Sequence, residues 1–216
     1  SGKHSEALRA LLVGATVMVP IYGKLSDLFG RKPILLLGIA LFLLGSLACG
    51  VSQTTGFLIA SRALQGVGSA ALFTTAFAVI ADIFAPAERG KYQGIFGSAF
   101  ALSSIVGPLL GGLITDRLSW HWVFLVTLPL GVVAVTFIVT KMPMLRRERT
   151  ERPSIDWLGA ILLLLAVVPF LVALSLGRTI GADASKRWIP AVLLVVSLVG
   201  LASFLLVELR AKEPLL

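Results

Sequence analysis

Few side chains in this sequence could do chemistry, and most of those crowd one turn. The stretch GKLSDLFGRKP, Gly23–Pro33, sets Lys24, Asp27, Arg31 and Lys32 between two long apolar runs. Asp27 is an acid within a basic stretch. It suits a helix N-terminus, where the dipole favours negative charge, or pairing with a nearby Arg. Gly23 and Gly30 suit a tight reversal, which a side chain would obstruct, and Pro33 suits the first turn of the next helix. A second polar pair, Arg62 and Gln65, lies one turn apart inside an apolar block. An arginine about five residues into a membrane helix either faces the bundle interior or snorkels back to the interface.

The same inventory excludes several kinds of chemistry. Cys49 is the only cysteine, which rules out an intrachain disulfide and a cysteine metal cluster. The sequence offers no metal-ligand cluster, nucleophile–base pair or phosphate loop, so neither a metal, a cofactor nor an enzyme is expected. The net charge of +8 raises nucleic acid as a partner. Its placement argues against that, because neither a basic helix face nor aromatics interleaved with arginine occur.

The elements that position these residues follow from composition. Of the residues, 57% are hydrophobic and 14% charged, and the mean hydropathy is +0.95. A soluble domain is nearer half apolar and a quarter charged. The excess falls in blocks of about twenty residues, the length that crosses roughly 30 Å of hydrocarbon. The fold class is therefore an all-α, multi-pass membrane protein with the lipid bilayer as its solvent. Seven spanning helices are expected, at about Ala7–Tyr22, Pro33–Val51, Gly56–Phe84, Tyr92–Thr115, Trp120–Thr140, Trp157–Leu176 and Trp188–Val207. All six Trp and Tyr residues fall at the predicted ends, where amphipathic rings prefer the headgroup level. With alternate loops on opposite sides, one side carries twelve Lys and Arg and the other six, Arg62 completing the nineteen. That bias places GKLSDLFGRKP in the cytoplasm. The longest charged connection, Lys141–Asp156, marks a boundary between residues 1–140 and the pair of helices in 157–216.

The spacing of Gly23, Leu25, Asp27, Gly30, Arg31 and Lys32 resembles the major facilitator superfamily signature between its second and third helices. Leu28 stands where the family usually has a basic residue. The resemblance implies that Asp27 and Arg31 latch the transporter's two halves in the outward-open state, with Asp82 as the acid that pairs with Arg31. Leu58–Ala71, LIASRALQGVGSAA, resembles the family's fourth-helix motif and implies a proton- or substrate-linked role for Arg62 and Gln65. Further on, Ala99, Ser103, Gly107 and Gly111 recur every four residues, giving a face without bulk that lets helix backbones approach. Gly94, Gly107, Pro108, Gly111 and Gly112 resemble the signature of the family's antiporters, with Ser103 where Gly is usual. WHWVFLVTLPLG, Trp120–Gly131, is similar to the family's sixth-helix opening, with His121 for Arg and Thr127 for Asn.

The last two helices look like the extra pair between the halves of fourteen-helix drug:proton antiporters. The resemblance thus covers the second to eighth of fourteen helices. Residues 1–140 become most of an N-terminal half lacking its first helix, 141–156 a basic cytoplasmic linker, and 157–216 the extra pair. It implies protons as coupling ion, a small-molecule substrate, and the missing half of the same transporter as partner, in a bacterial-type cytoplasmic membrane. No helix carries a deep carboxylate, and in the fourteen-helix family the coupling acid typically lies on the first helix. The expected activity is proton-coupled efflux of drugs or other apolar or cationic compounds. The alternatives are a dedicated exporter of one metabolite, lipid or siderophore, and a non-transporting truncated membrane module.

Overall fold

The computed structural model describes residues 2–143, 157–180 and 188–209, all of them helix or the short turns between helices. The chain divides into two compact units, Ser1–Arg147 and Glu148–Leu216. Most of the expected linker, residues 144–156, lies outside the described residues.

In the first unit, α1 (Gly2–Phe29) and α2 (Arg31–Gly50) are separated by one residue, Gly30, at φ 94°. Among the described residues it is the only one with positive φ, a conformation that glycine adopts without a Cβ penalty. The expected ten-residue loop therefore shrinks to one glycine. Gly23 does not sit at the reversal but lies within α1, where a Cβ would meet only the Thr74 methyl at 3.6 Å. The physical reason is that Lys24 and Asp27 need no loop. A helix that outruns the hydrocarbon keeps its backbone paired and carries charges on its surface.

Thr54 caps α3 (Thr55–Ile83), its hydroxyl accepting the Phe57 N–H at 3.3 Å. The next helix, α4 (Pro86–Arg117), begins a turn and a half before the expected Tyr92. Pro86 at the first helical position and Glu88 in the first turn both favour that earlier start. The fifth span is also divided, into α5 (Trp122–Leu125) and α6 (Thr127–Lys141). Pro129 offers no N–H to the Leu125 carbonyl, which interrupts the ladder at Val126 although its backbone stays helical at φ −61°, ψ −25°.

The core of this unit is where α1, α2 and α3 meet, around Tyr22, Ile34, Ala70 and Ala71. Glycines bring the backbones together there. A Cβ on Gly66 would strike the Leu11 carbonyl of α1, and one on Gly68 the Phe42 nitrogen of α2. On the opposite flank, none of the residues of α4 is buried. Its ties to α3 are aromatic edges, Phe96 lying 5.8 Å from Phe73 and 5.1 Å from Phe77 between centroids. Beside it a cavity of about 490 Å³ opens between α2, α3, α4 and α6, walled by Leu35, Phe42, Phe73, Phe96 and Leu130.

The second unit is a hairpin of α7 (Trp157–Ile180) and α8 (Trp188–Glu208). Gly200 lets α8 rest on the backbone of Leu165 and Ala166, and the Ser197 hydroxyl donates to the Ala166 carbonyl at 2.6 Å. Among the described residues, five spans are long and apolar enough to cross a membrane: α2, α3, α4, α5 with α6, and α8. The other two expected spans, α1 and α7, include side chains outside the described residues, and the described run Ile161–Leu174 of α7 is apolar.

Candidate functional site

The turn between α1 and α2 forms a charge cluster around one cation. Arg31 opens α2, where the helix dipole disfavours a positive charge, and its side chain is only 8% exposed. Two carboxylates compensate. Asp27 on α1 lies 2.5 Å from one terminal nitrogen, and Asp82 on α3 accepts from Nε at 2.7 Å. The other terminal nitrogen donates to the Ser26 hydroxyl at 2.5 Å, and Ser26 donates in turn to the Gly23 carbonyl at 2.8 Å. Three helices thus converge on one planar fork, whose fixed donors suit two acceptors at once. Asp27 and Asp82 are 32% and 25% exposed, so the cluster has a wet side.

Lys32 takes no part in that cluster. Its ammonium donates to the carbonyls of Val139 and Met142, at 2.9 and 2.8 Å, and so satisfies the C-terminus of α6. Arg89 does the same for α3 through the carbonyls of Ala81 and Phe84, at 2.7 and 3.2 Å. Cations counted in the sequence as a topology signal therefore also serve as helix caps.

Toward the other end of the unit, Arg62 turns onto its neighbours. Its guanidinium lies 4.4 Å above the Phe124 ring and donates to the Gln65 side-chain oxygen at 3.1 Å. Gln65 is buried, and its amide nitrogen donates to Ser46 of α2 at 3.2 Å. The Ser46 hydroxyl reaches the Phe124 carbonyl at 3.0 Å and lies 2.7 Å from the Thr127 hydroxyl, which donates to the same carbonyl at 2.6 Å. At the end of α2, His121 meets the Ser52 carbonyl through Nε2 at 3.0 Å.

The α4 signature residues are not part of either cluster. A Cβ on Gly94, Gly107, Gly111 or Gly112 would meet nothing within 4 Å, and Ser103 donates to the Ala99 carbonyl of its own helix at 2.8 Å. Pro108 lies within α4. Among the described residues, no group of three or more His, Cys, Asp or Glu is placed to hold a metal ion.

Sequence reasoning brought together Asp27, Arg31 and Asp82, and Arg62 with Gln65, but missed Ser26, Ser46 and Phe124. Ser46 did leave a signal: it is the only hydroxyl in ILLLGIALFLLGSLACG, residues 34–50. A buried polar group in such a run needs a partner on another helix.

The family described as Major Facilitator Superfamily matches residues 7–209. Multidrug resistance protein 3 of Bacillus subtilis is 43% identical over 215 residues, 99% of this chain and 41% of that protein. Multidrug transporter protein MdtP of the same organism is 40% identical over 208 residues, 96% of this chain and 38% of that protein. Efflux pump dotC of the fungus Dothistroma septosporum is 36% identical over 212 residues, 96% of this chain and 36% of that protein. The chain spans 36–41% of the length of these curated relatives.

Proposed function

The chain belongs to the major facilitator superfamily, and from that premise we propose that it is part of a proton-coupled antiporter. The transporter exports drugs or other small apolar or cationic compounds across a bacterial-type cytoplasmic membrane. Support for the substrate class comes from relatives named for multidrug resistance and multidrug transport. The observation that carries a transport role for these residues is the sharing of Arg31 between Asp27 and Asp82. A buried cation held by acids on two other helices resists separation, because parting them leaves charges unpaired at low dielectric. Such a cluster biases a rocking bundle toward one of its two states. In this reading Gly30 supplies the turn, Gly23 the smooth face of α1, and Lys32 the anchor to α6, and together they latch the outward-open state.

Arg62 and Gln65 then lie on the proton or substrate pathway, Arg62 holding a fixed positive charge within the span. The α4 helix, with its motif residues Gly94, Ser103, Gly107, Pro108, Gly111 and Gly112, receives the remaining half of the transporter, and the coupling carboxylate lies on the family's first helix. Substrate binds near the midplane between the halves.

A second reading is a dedicated exporter of one metabolite. It is favoured by a fungal relative named as an Acurin A biosynthesis cluster MFS-type transporter, 35% identical over 216 residues. Competition among dyes in whole-cell ethidium efflux separates the two. A multidrug pump shows mutual inhibition by unrelated cationic dyes, whereas a dedicated exporter ignores all of them.

A further inference from the structure

The hydrogen bonds around Arg62 have only one possible polarity. Guanidinium donates and never accepts, so Gln65 must turn its carbonyl oxygen to Arg62 and its amide nitrogen to Ser46. Ser46 must accept that bond, which leaves its single proton for the α5–α6 junction. There its acceptors are the Phe124 carbonyl at 3.0 Å and the Thr127 hydroxyl at 2.7 Å. The charge on Arg62 thus orients a chain of bonds that crosses from α3 through α2 to the interrupted ladder at Val126.

Packing supports the same link. Gly45 lies against Gln65, where a Cβ would stand 2.6 Å from the Gln65 backbone nitrogen. The neighbouring Ser46 is 0% exposed and Gln65 3% exposed, so the contact is shielded from bulk solvent. The Phe124 residue that receives the chain through its carbonyl also carries the ring beneath the Arg62 guanidinium. The path therefore closes on itself, with Arg62 at both ends.

We propose that Ser46 is a positioning residue that fixes Gln65, and through it Arg62, in register with the α5–α6 break. The inference rests on the reading of Arg62 as part of the transport pathway. A repositioning of the α5–α6 junction reaches Arg62 through this hydroxyl, and a change in the partner of Arg62 reaches the junction by the reverse route.

The test is a double-mutant cycle on ethidium efflux in the protein at its native length, with rates normalised to inserted protein. It uses Ser46→Ala, Gln65→Met and the two combined, with Arg62→Ala alongside. Serial coupling predicts that each single change slows efflux at least about fivefold and that the double lies within about twofold of the worse single. Ser46→Cys, which keeps the volume and a weak donor, recovers part of the loss and serves if Ser46→Ala inserts poorly. If Arg62→Ala is inactive while the cycle is additive or Ser46→Ala is silent, the role of Ser46 is overturned and the transport reading stands. If Arg62→Ala transports like the wild type, the reading beneath the proposal fails and the proposal fails with it.

Discussion

Gly66 and Gly107 are the same residue in the middle of long apolar helices, and they meet opposite surroundings. A Cβ on Gly66 of α3 would enter the Leu11 backbone of α1, while one on Gly107 of α4 would touch nothing within 4 Å. Around Gly66 lie the buried residues of the unit, whereas α4 buries none, and its Ile105 and Leu109 are each 75% exposed. In lipid, apolar side chains gain little by leaving the hydrocarbon, so helices associate where small residues let backbones touch. The α1–α2–α3 side has completed that association within this chain. Among the described residues of the first unit, the glycines of the α4 side meet no such neighbour. Glycine content alone therefore does not separate an internal packing seam from a face left open.

Substitutions can break this contrast or sharpen it, beginning with the tight side. Gly66→Val forces α1 from α3, and overpacking of this kind costs about 3 kcal/mol, read as a lower unfolding midpoint in detergent. An unchanged midpoint would mean that the α1–α3 seam is loose. Next comes Arg31→Gln, which leaves Asp27 and Asp82 facing each other without their cation. Both acids have a wet side, so the loss is about 2 kcal/mol rather than the larger figure for a fully buried pair. Asp27→Asn and Asp82→Asn each leave one acid on Arg31 and destabilise less than Arg31→Gln does. In transport, Asp27→Asn sharply reduces efflux with insertion intact; unchanged efflux would remove the latch.

Lys32→Met uncaps α6 and costs about 0.5–1 kcal/mol, with an effect that shrinks in high salt. Smallest, and opposite in sign, is Gly107→Ala. With no neighbour to strike, it gains about 0.5–1 kcal/mol of helix stability in residues 1–216 taken alone. A destabilising result there would show that the α4 face is already packed.

Much of this architecture was legible in the sequence. The apolar blocks and the terminal Trp and Tyr gave the helix order, an acid within a basic turn suggested pairing with a nearby Arg, and the family resemblance named Arg31 and Asp82. The boundaries around Gly23 and Tyr92 were displaced because hydropathy records where the hydrocarbon ends, not where the backbone ladder ends. Pro129 divided the fifth span, although proline near a helix start reads as favourable. Ser46 and Phe124 escaped because they lie 19 and 62 residues in sequence from their partners Gln65 and Arg62. Only the third dimension brings such residues together. The openness of α4 was equally invisible, since a stripe of small residues reads the same whether it is covered or bare.

The most direct test of the account uses inverted membrane vesicles containing the protein at its native length, energised to an acidic interior. Addition of ethidium should release protons from the interior, raising its pH as dye accumulates, and Asp27→Asn should sharply reduce both signals. Dye accumulation that persists after the pH gradient is collapsed, or that moves no protons, would contradict proton-coupled antiport.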